Sequence, residues 1–358
     1  MRYVPSNCLR PGQRLASNLT MDDRRIFLRS NVPLTGQMID RIQKLGFQGV
    51  YISDDLSKDL VVANLISDKL KYKAKKEVKT LFIQVENQKK TMITNQMDVI
   101  GSVIGDIVDE ILYNRNIMVN VVDLRTFDDY TFSHSLNVAV LSVIMGAVLD
   151  LNRSILKELA MGALIHDIGK VFVDKTIINK PDKLTPEELA EVRKHSQYGF
   201  DYLSAHCKIP DNAMKAVLSH HEQLNGKGYP NGLKGEDIHL FGRIICVADV
   251  YDALSSDRPY RRAMLPSDAV EYIMGGYNTM FDPRVVAAFV RKVAPYPVGT
   301  CVRLSTGQTG IVVQNFESSC LRPMVRLIEE GKPVNEFIDL ANDHSKLNVT
   351  IQEVIVIN

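Results

Sequence analysis

The pattern of apolar and polar positions changes character several times along the chain. Up to residue 53 the apolar runs are short. Arg25-Ile26-Phe27-Leu28 and Gly49-Val50-Tyr51-Ile52 predict strands, and Leu9-Arg10-Pro11-Gly12 predicts a turn. Thr35 is placed to cap a helix whose apolar positions include Ile39, Ile42 and Leu45. Across 57–114 Gly and Pro are nearly absent while Lys, Glu, Ile, Leu and Val dominate, which predicts helix. Two readings stay open for these helices: packing on the core that follows, or a signalling or dimerisation helix that links the first module to the core, with a homodimer as the possible assembly.

The middle of the chain reads as helix after helix. The most apolar stretch, 138–149, is too short to span a bilayer and reads as a buried helix. Ile155, Leu156, Leu159, Ala160, Ala163 and Leu164 recur at helical spacing and lead into His166-Asp167. Thr185-Pro186-Glu187-Glu188 is a capping box with Pro at the first helical position. It is expected to open a helix that carries His195 about three turns in. Asp211 is expected to cap a helix through Met214, Val217 and Leu218 that delivers His220-His221 near its end. Ile244, Ile245, Val247 and Ala248 precede Asp249, and Asp282-Pro283 opens a last helix with Val286, Phe289, Val290 and Val293. After Pro295-Tyr296-Pro297-Val298-Gly299 the runs become short and β-type, among them Gly310-Ile311-Val312-Val313 and Val325-Arg326-Leu327-Ile328. They predict a small β-barrel-like tail, whose role is accessory packing or ligand binding. The fold is therefore mainly α, with a small α+β module before the helical core and a β-rich tail after it. The expected segments are 1–56, 57–118, 119–295 and 296–358.

Composition narrows the function classes. The 358 residues are 45% hydrophobic and 24% charged, the balance of a globular protein of two or three domains. A net charge of +1 excludes a generic binder of polymeric nucleic acid, whereas a small anion needs only a local cluster of Lys and Arg. The 5 cysteines are scattered without Cys-x-x-Cys spacing, which reads as reduced thiols in a cytoplasmic protein. Met1-Arg2-Tyr3-Val4-Pro5 has no apolar signal core, and no membrane insertion is expected.

The chemistry concentrates in His166-Asp167-Ile168-Gly169-Lys170, followed about fifty residues later by His220-His221-Glu222 and then Gly228-Tyr229-Pro230. Imidazoles and carboxylates are the ligand set of hard-to-borderline divalent metals, which activate water for hydrolysis, often in pairs. Together with Asp249-Val250-Tyr251-Asp252-Ala253-Leu254 and Arg258-Pro259-Tyr260-Arg261, these motifs resemble the HD-GYP family over 119–295. That family is a branch of the HD phosphohydrolases, and its usual activity is hydrolysis of bacterial cyclic di-GMP.

The resemblance implies an all-helical HD-type catalytic core. It implies His134, His166, Asp167, His195, His220, His221 and Asp249 as metal ligands. Asp167 is the expected bridge between His134, His166 and Asp249 on one ion and His195, His220 and His221 on the other. The implied cofactors are two divalent ions, iron or manganese, that share and activate a water. Lys170 and Asp167 are the expected catalytic residues, with Lys170 donating to a phosphate oxygen or the leaving group. Arg258 and Arg261 suit a phosphate or the Hoogsteen edge of guanine. Asp252 is expected to orient one of these groups or touch a base, and Tyr229 to stack on substrate or pack. His206, His239 and His344 match no motif.

The chain departs from the family pattern in two places. Some members use a Glu four residues before the first His ligand to hold a third metal, and that position is Tyr130 here. Asn225 stands where the loop commonly has Asp. The implied activity is metal-dependent opening of cyclic di-GMP to pGpG or GMP. Two alternatives stay open: another cyclic dinucleotide or nucleotide as substrate, and a weakly active cyclic di-GMP-binding scaffold.

Overall fold

The computed structural model describes residues 1–20, 25–45, 47, 49–61, 64–87, 90–119, 130–180, 182–256 and 263–357, without the side chains at 20, 90–92, 130 and 131. They form two compact units: Met1–Asn64, Met118–Tyr130 and Val293–Asn358 in one, Leu65–Ile117 and Thr131–Lys292 in the other.

The first unit contains β1 (Arg2–Pro5), β2 (Arg14–Leu15), β3 (Leu19–Thr20), β4 (Ile26–Leu28), α1 (Gly36–Lys44) and β5 (Gly49–Ser53). Strands pair antiparallel in the order β1-β5-β2, with Val4 opposite Val50, while β3 and β4 form a separate pair. Thr35 caps α1 as expected, its hydroxyl accepting from the Met38 amide at 3.2 Å. That start turns Ile39 and Ile42 onto Val4, Val50 and Ile52, the centre of this small core.

The same unit holds β6 (Cys301–Leu304), β7 (Thr309–Gln314), β8 (Met324–Glu329), β9 (Lys332–Asp339) and β10 (Ile351–Val354), an antiparallel sheet of order β10-β6-β7-β8-β9. Among the described residues no pairing joins its edge strands β9 and β10. Val302, Leu304, Val312, Val325 and Leu327 form its core. Leu56 and Leu60, which follow β5, pack with Cys301, Ile311 and Ile328 of the sheet. Polar contacts stitch the same seam. Arg326 of β8 donates to Asp59 at 2.5 Å and to the Leu56 carbonyl at 2.6 Å. Arg2 donates to Asp54 at 2.7 Å and to the Ile357 carbonyl at 2.9 Å.

The second unit is helical: α2 (Asp68–Glu86), α3 (Lys90–Tyr113), α4 (Tyr130–Val148), α5 (Arg153–Ile165), α6 (Lys175–Ile178), α7 (Pro186–Arg193), α8 (His195–His206), α9 (Asp211–Ser219), α10 (Leu240–Ser255), α11 (Pro266–Gly275) and α12 (Pro283–Lys292). The helices predicted across 57–114 are α2 and α3. They pack on each other, and α3 packs on α5. Helix α5 lies against α9, which touches α8 and α10. Gly162 permits the α5–α9 approach, since a Cβ there would meet the Ala216 methyl at 3.0 Å and the Ala213 carbonyl at 3.1 Å. Helix α10 is buried over nearly its whole length, which explains the unbroken apolar run before Asp249. Among the described residues no helix is long and apolar enough to cross a membrane.

Arg326→Met keeps the aliphatic stem but strands the Leu56 carbonyl and frees Asp59. The expected loss is about 1–3 kcal/mol, seen as an earlier thermal transition. An unchanged transition would mean that the seam is held by its apolar contacts alone.

Candidate metal centre

Helix ends bring the polar residues together. His134 lies early in α4, and His166 caps the C-terminus of α5 with Asp167 just beyond it. Residues Ile168–Phe172 then form a 3-10 turn, so α5 does not run on to Lys170. That turn lies against the first turn of α8, and a Cβ on Gly169 would collide with the His195 carbonyl. His220 caps the C-terminus of α9 and His221 follows it, while Asp249 comes from inside α10.

Two local expectations need correction. The Thr185–Glu188 capping box is present, but α7 ends at Arg193 and His195 opens a new helix. The break at Lys194, whose amide donates back to the Glu191 carbonyl at 3.1 Å, is what re-aims His195. Asp211 is the first residue of α9 rather than its cap; Pro210 holds that position with no side-chain hydrogen bond.

One device orients three of the imidazoles. The Nδ1 of His166, His195 and His220 meets the carbonyl three residues earlier: Ala163 at 2.7 Å, Val192 at 2.7 Å and Val217 at 2.8 Å. A carbonyl only accepts, so each Nδ1 carries the proton and each Nε2 presents a lone pair. These Nε2 atoms gather on Asp167, at 3.3 Å for His166, 3.3 Å for His195 and 4.0 Å for His220. His134 is held differently. Its Nδ1 meets Asp252 Oδ2 at 2.7 Å, and its Nε2 faces Asp249 at 3.1 Å and Asp167 at 3.6 Å. His221 Nδ1 lies 3.6 Å from the other Asp249 oxygen.

The electrostatics suit a cation. Burial pushes His195 down to about 4, His221 to about 3 and His220 well below the usual imidazole range, so all three are neutral near pH 7. Burial would raise Asp167, but Lys170, His166 and His195 hold it well below the usual carboxylate range. Asp249 is likewise held down, by His134 and His221 against its burial. Burial alone would lower His134, yet Asp249 and Asp252 raise it to about 9. A proton there sits among carboxylates, where a divalent ion on a neutral imidazole would place positive charge instead.

Ligand atoms of Asp167, His195, His220 and His221 lie within 4.8 Å of one another, as do those of His134, His166 and Asp167. Asp167 belongs to both groups. His166 Nε2 and Asp167 Oδ1 are buried without a hydrogen-bond partner, a state that costs free energy unless something binds them. The donor set is nitrogen and oxygen throughout. Cys246, one turn before Asp249, has its thiol pushed up to about 12, first by burial. The residues present therefore fit one or more divalent ions.

The remaining predicted residues divide. Lys170 pairs with Asp167 Oδ2 at 2.5 Å while its side chain stays 31% exposed. Asp252, expected at the substrate, is fully buried. One oxygen holds His134 and the other accepts from Asn137 Nδ2 at 2.8 Å, so it positions a histidine rather than contacting a base. Tyr229 stacks on His221, ring centres 4.6 Å apart. Asn225 accepts from the Lys227 amide at 2.9 Å and shapes the glycine turn. Arg258 and Arg261 lie outside the described residues, and so does the Tyr130 side chain. His206, His239 and His344 do not join the cluster.

Glu222 escaped the sequence reading. It is buried, and its carboxylate accepts from the amides of Asn231 at 2.7 Å and Leu233 at 3.0 Å, anchoring the loop that carries Tyr229. An acidic residue between a histidine pair and a glycine turn was the available signal.

Residues 116–285 match the HD domain family model HD_5. This segment is an HD domain. The chain is 40% identical over 227 residues to a cyclic di-GMP phosphodiesterase of Pseudomonas aeruginosa, covering 62% of this chain and 55% of that one. It is 39% identical over 196 residues to 3'3'-cGAMP-specific phosphodiesterase 1 of Vibrio cholerae, covering 53% and 43%. The chain thus spans about half the length of these curated relatives. An HD-GYP-like protein of known structure from Bdellovibrio bacteriovorus shares the fold, with TM-score 0.51 at 18% identity over 80% of this chain and 97% of that one.

The HD domain should lose most of its bound metal in Asp167→Ala, measured by mass spectrometry on protein purified without chelator. Asp252→Asn keeps the shape behind His134 but weakens the carboxylate, and should lower metal affinity roughly 10–100-fold. Full metal content in Asp167→Ala would rule out a centre built on that residue.

Proposed function

We propose that the HD-GYP domain hydrolyses cyclic di-GMP to pGpG or GMP, in the cytoplasm, with two divalent ions of iron or manganese. The observation that carries this reading is the buried Asp167 carboxylate shared by two sets of imidazoles. His134, His166 and Asp249 would hold one ion with Asp167, and His195, His220 and His221 the other. Bound there, the ions supply Lewis acidity toward water and the phosphoryl oxygens. Tyr130, a phenol, stands where some family members have the Glu that holds a third metal, which favours two ions.

The protein groups have distinct tasks. The carbonyls of Ala163, Val192 and Val217 fix the imidazole tautomers before substrate arrives. Asp167 holds Lys170 at the site's partly open side, where its ammonium can donate to a phosphoryl oxygen as charge develops. Glu222 keeps Tyr229 packed on His221, closing the wall beside the cluster. Arg258 and Arg261 follow α10 in sequence and are assigned to the substrate's phosphate or guanine.

Protein reconstituted with Mn²⁺ or Fe²⁺ and analysed by product chromatography should cleave cyclic di-GMP in preference to cyclic di-AMP. Guanine alone offers the N7 and O6 acceptor pair that Arg reads. The mixed guanine–adenine dinucleotide is the natural comparison, given the Vibrio cholerae relative. Equal turnover of all three would defeat the guanine argument.

Lys170→Ala separates chemistry from metal binding. An ammonium is not a metal ligand, so metal content should stay near normal while kcat falls on the order of a hundredfold. An unchanged kcat would leave Lys170 as a structural partner of Asp167 only.

A further inference from the structure

Arg193 ends α7 two residues before His195, and it is exposed. Its guanidinium carbon stands 5.3 Å from the centre of the Tyr229 ring. That same ring stacks on His221 at 4.6 Å and meets His195 edge-on at 6.3 Å. Neighbouring lysines are neutralised: Lys194 pairs with Glu191 and Lys180 with Glu188, each at 2.7 Å. Arg193 has no ion pair among the described residues. A cation held against an aromatic face keeps its charge and most of its donors for another partner.

We propose that Arg193 binds the phosphate of a cyclic dinucleotide that is not being cleaved. This rests on the substrate reading above. A cyclic dinucleotide carries two phosphodiesters in one ring. The phosphate under attack belongs beside Asp167 and Lys170, so its partner must lie to one side. Tyr229 separates Arg193 from the histidine cluster by one aromatic ring and sets such an offset. The guanidinium offers paired donors to phosphate oxygens, which an ammonium does not. Arg193 is then a specificity-determining residue, favouring substrates with a second phosphate over simple diesters.

The test compares the metal-loaded wild type with Arg193→Ala and Arg193→Lys on cyclic di-GMP and on bis(4-nitrophenyl) phosphate, which has a single phosphate. Arg193→Ala should raise KM for cyclic di-GMP about tenfold or more, the worth of a charged hydrogen bond, with a much smaller change in kcat. Arg193→Lys should recover part of that loss. Turnover of the single-phosphate diester should change far less than that of the dinucleotide. Wild-type KM in Arg193→Ala would overturn the assignment while leaving the substrate reading intact. An equal fall on both substrates would also overturn it, because Arg193 would then merely support the Tyr229 loop. A wild type that cleaves the simple diester but no cyclic dinucleotide would remove both the substrate reading and this role.

Discussion

A carboxylate buried among imidazoles is the constraint on which the helical unit depends. Asp167 is almost wholly removed from water, and an ionised group in that position is costly unless opposite charge and hydrogen bonds surround it. Lys170 reaches it at 2.5 Å and the raised His134 faces it at 3.6 Å, while burial keeps His195 and His220 neutral beside it. The local fold makes sense as a way of gathering imidazole nitrogens and carboxylate oxygens where a divalent ion could be held. Helices α5 and α9 stop at their histidines, α8 begins at its own, and each ring is tied by its far nitrogen to a backbone carbonyl. A ring fixed in this way loses little further freedom on binding, which is the benefit of preorganisation.

Much of this was legible in the sequence because it follows from local rules. Thr35 and the Thr185–Glu188 box cap helices through side chains adjacent in sequence, and periodic apolar residues announce α5 and α9. The candidate ligands were legible through motif resemblance. What escaped notice depends on contacts distant in sequence. Nothing near Lys194 signals that a helix should break there, and the break sets the His195 carbonyl against the 3-10 turn at Gly169. The family resemblance implied that Asp252 orients a substrate-binding group or touches a base. Its true partners, His134 and Asn137, come from a helix more than a hundred residues earlier. Glu222 acts on amides of the loop ahead of it, a role that composition does not mark.

The terminal segments show the same limit. Read along the chain, the first strands and the last sheet are separate textures divided by the whole helical region. In the structure they share a unit, because Leu56 and Leu60 complete an apolar cluster that Cys301, Ile311 and Ile328 leave open. Asp54 and Asp59 then pair with the guanidiniums of Arg2 and Arg326, which this packing buries. Neither segment's pattern reveals a partner so far away, since a short strand with one buried face predicts burial but not against what.

The histidines are not equivalent, and the difference lies behind them. His166, His195 and His220 lean on neutral carbonyls, whereas His134 leans on the Asp252 carboxylate. A charged acceptor at Nδ1 makes Nε2 a stronger donor than a carbonyl does. Against its burial, Asp249 and then Asp252 push His134 up to about 9, while burial takes His195, backed by a carbonyl, down to about 4. Asp249 puts one oxygen 3.1 Å from His134 Nε2 and the other 3.6 Å from His221 Nδ1. His134, with Asp252 behind it and Asp249 before it, is therefore the most electron-rich of these imidazoles. Asp167 joins two unlike environments, so ions held on either side of it would differ in affinity and in their power to polarise a ligand.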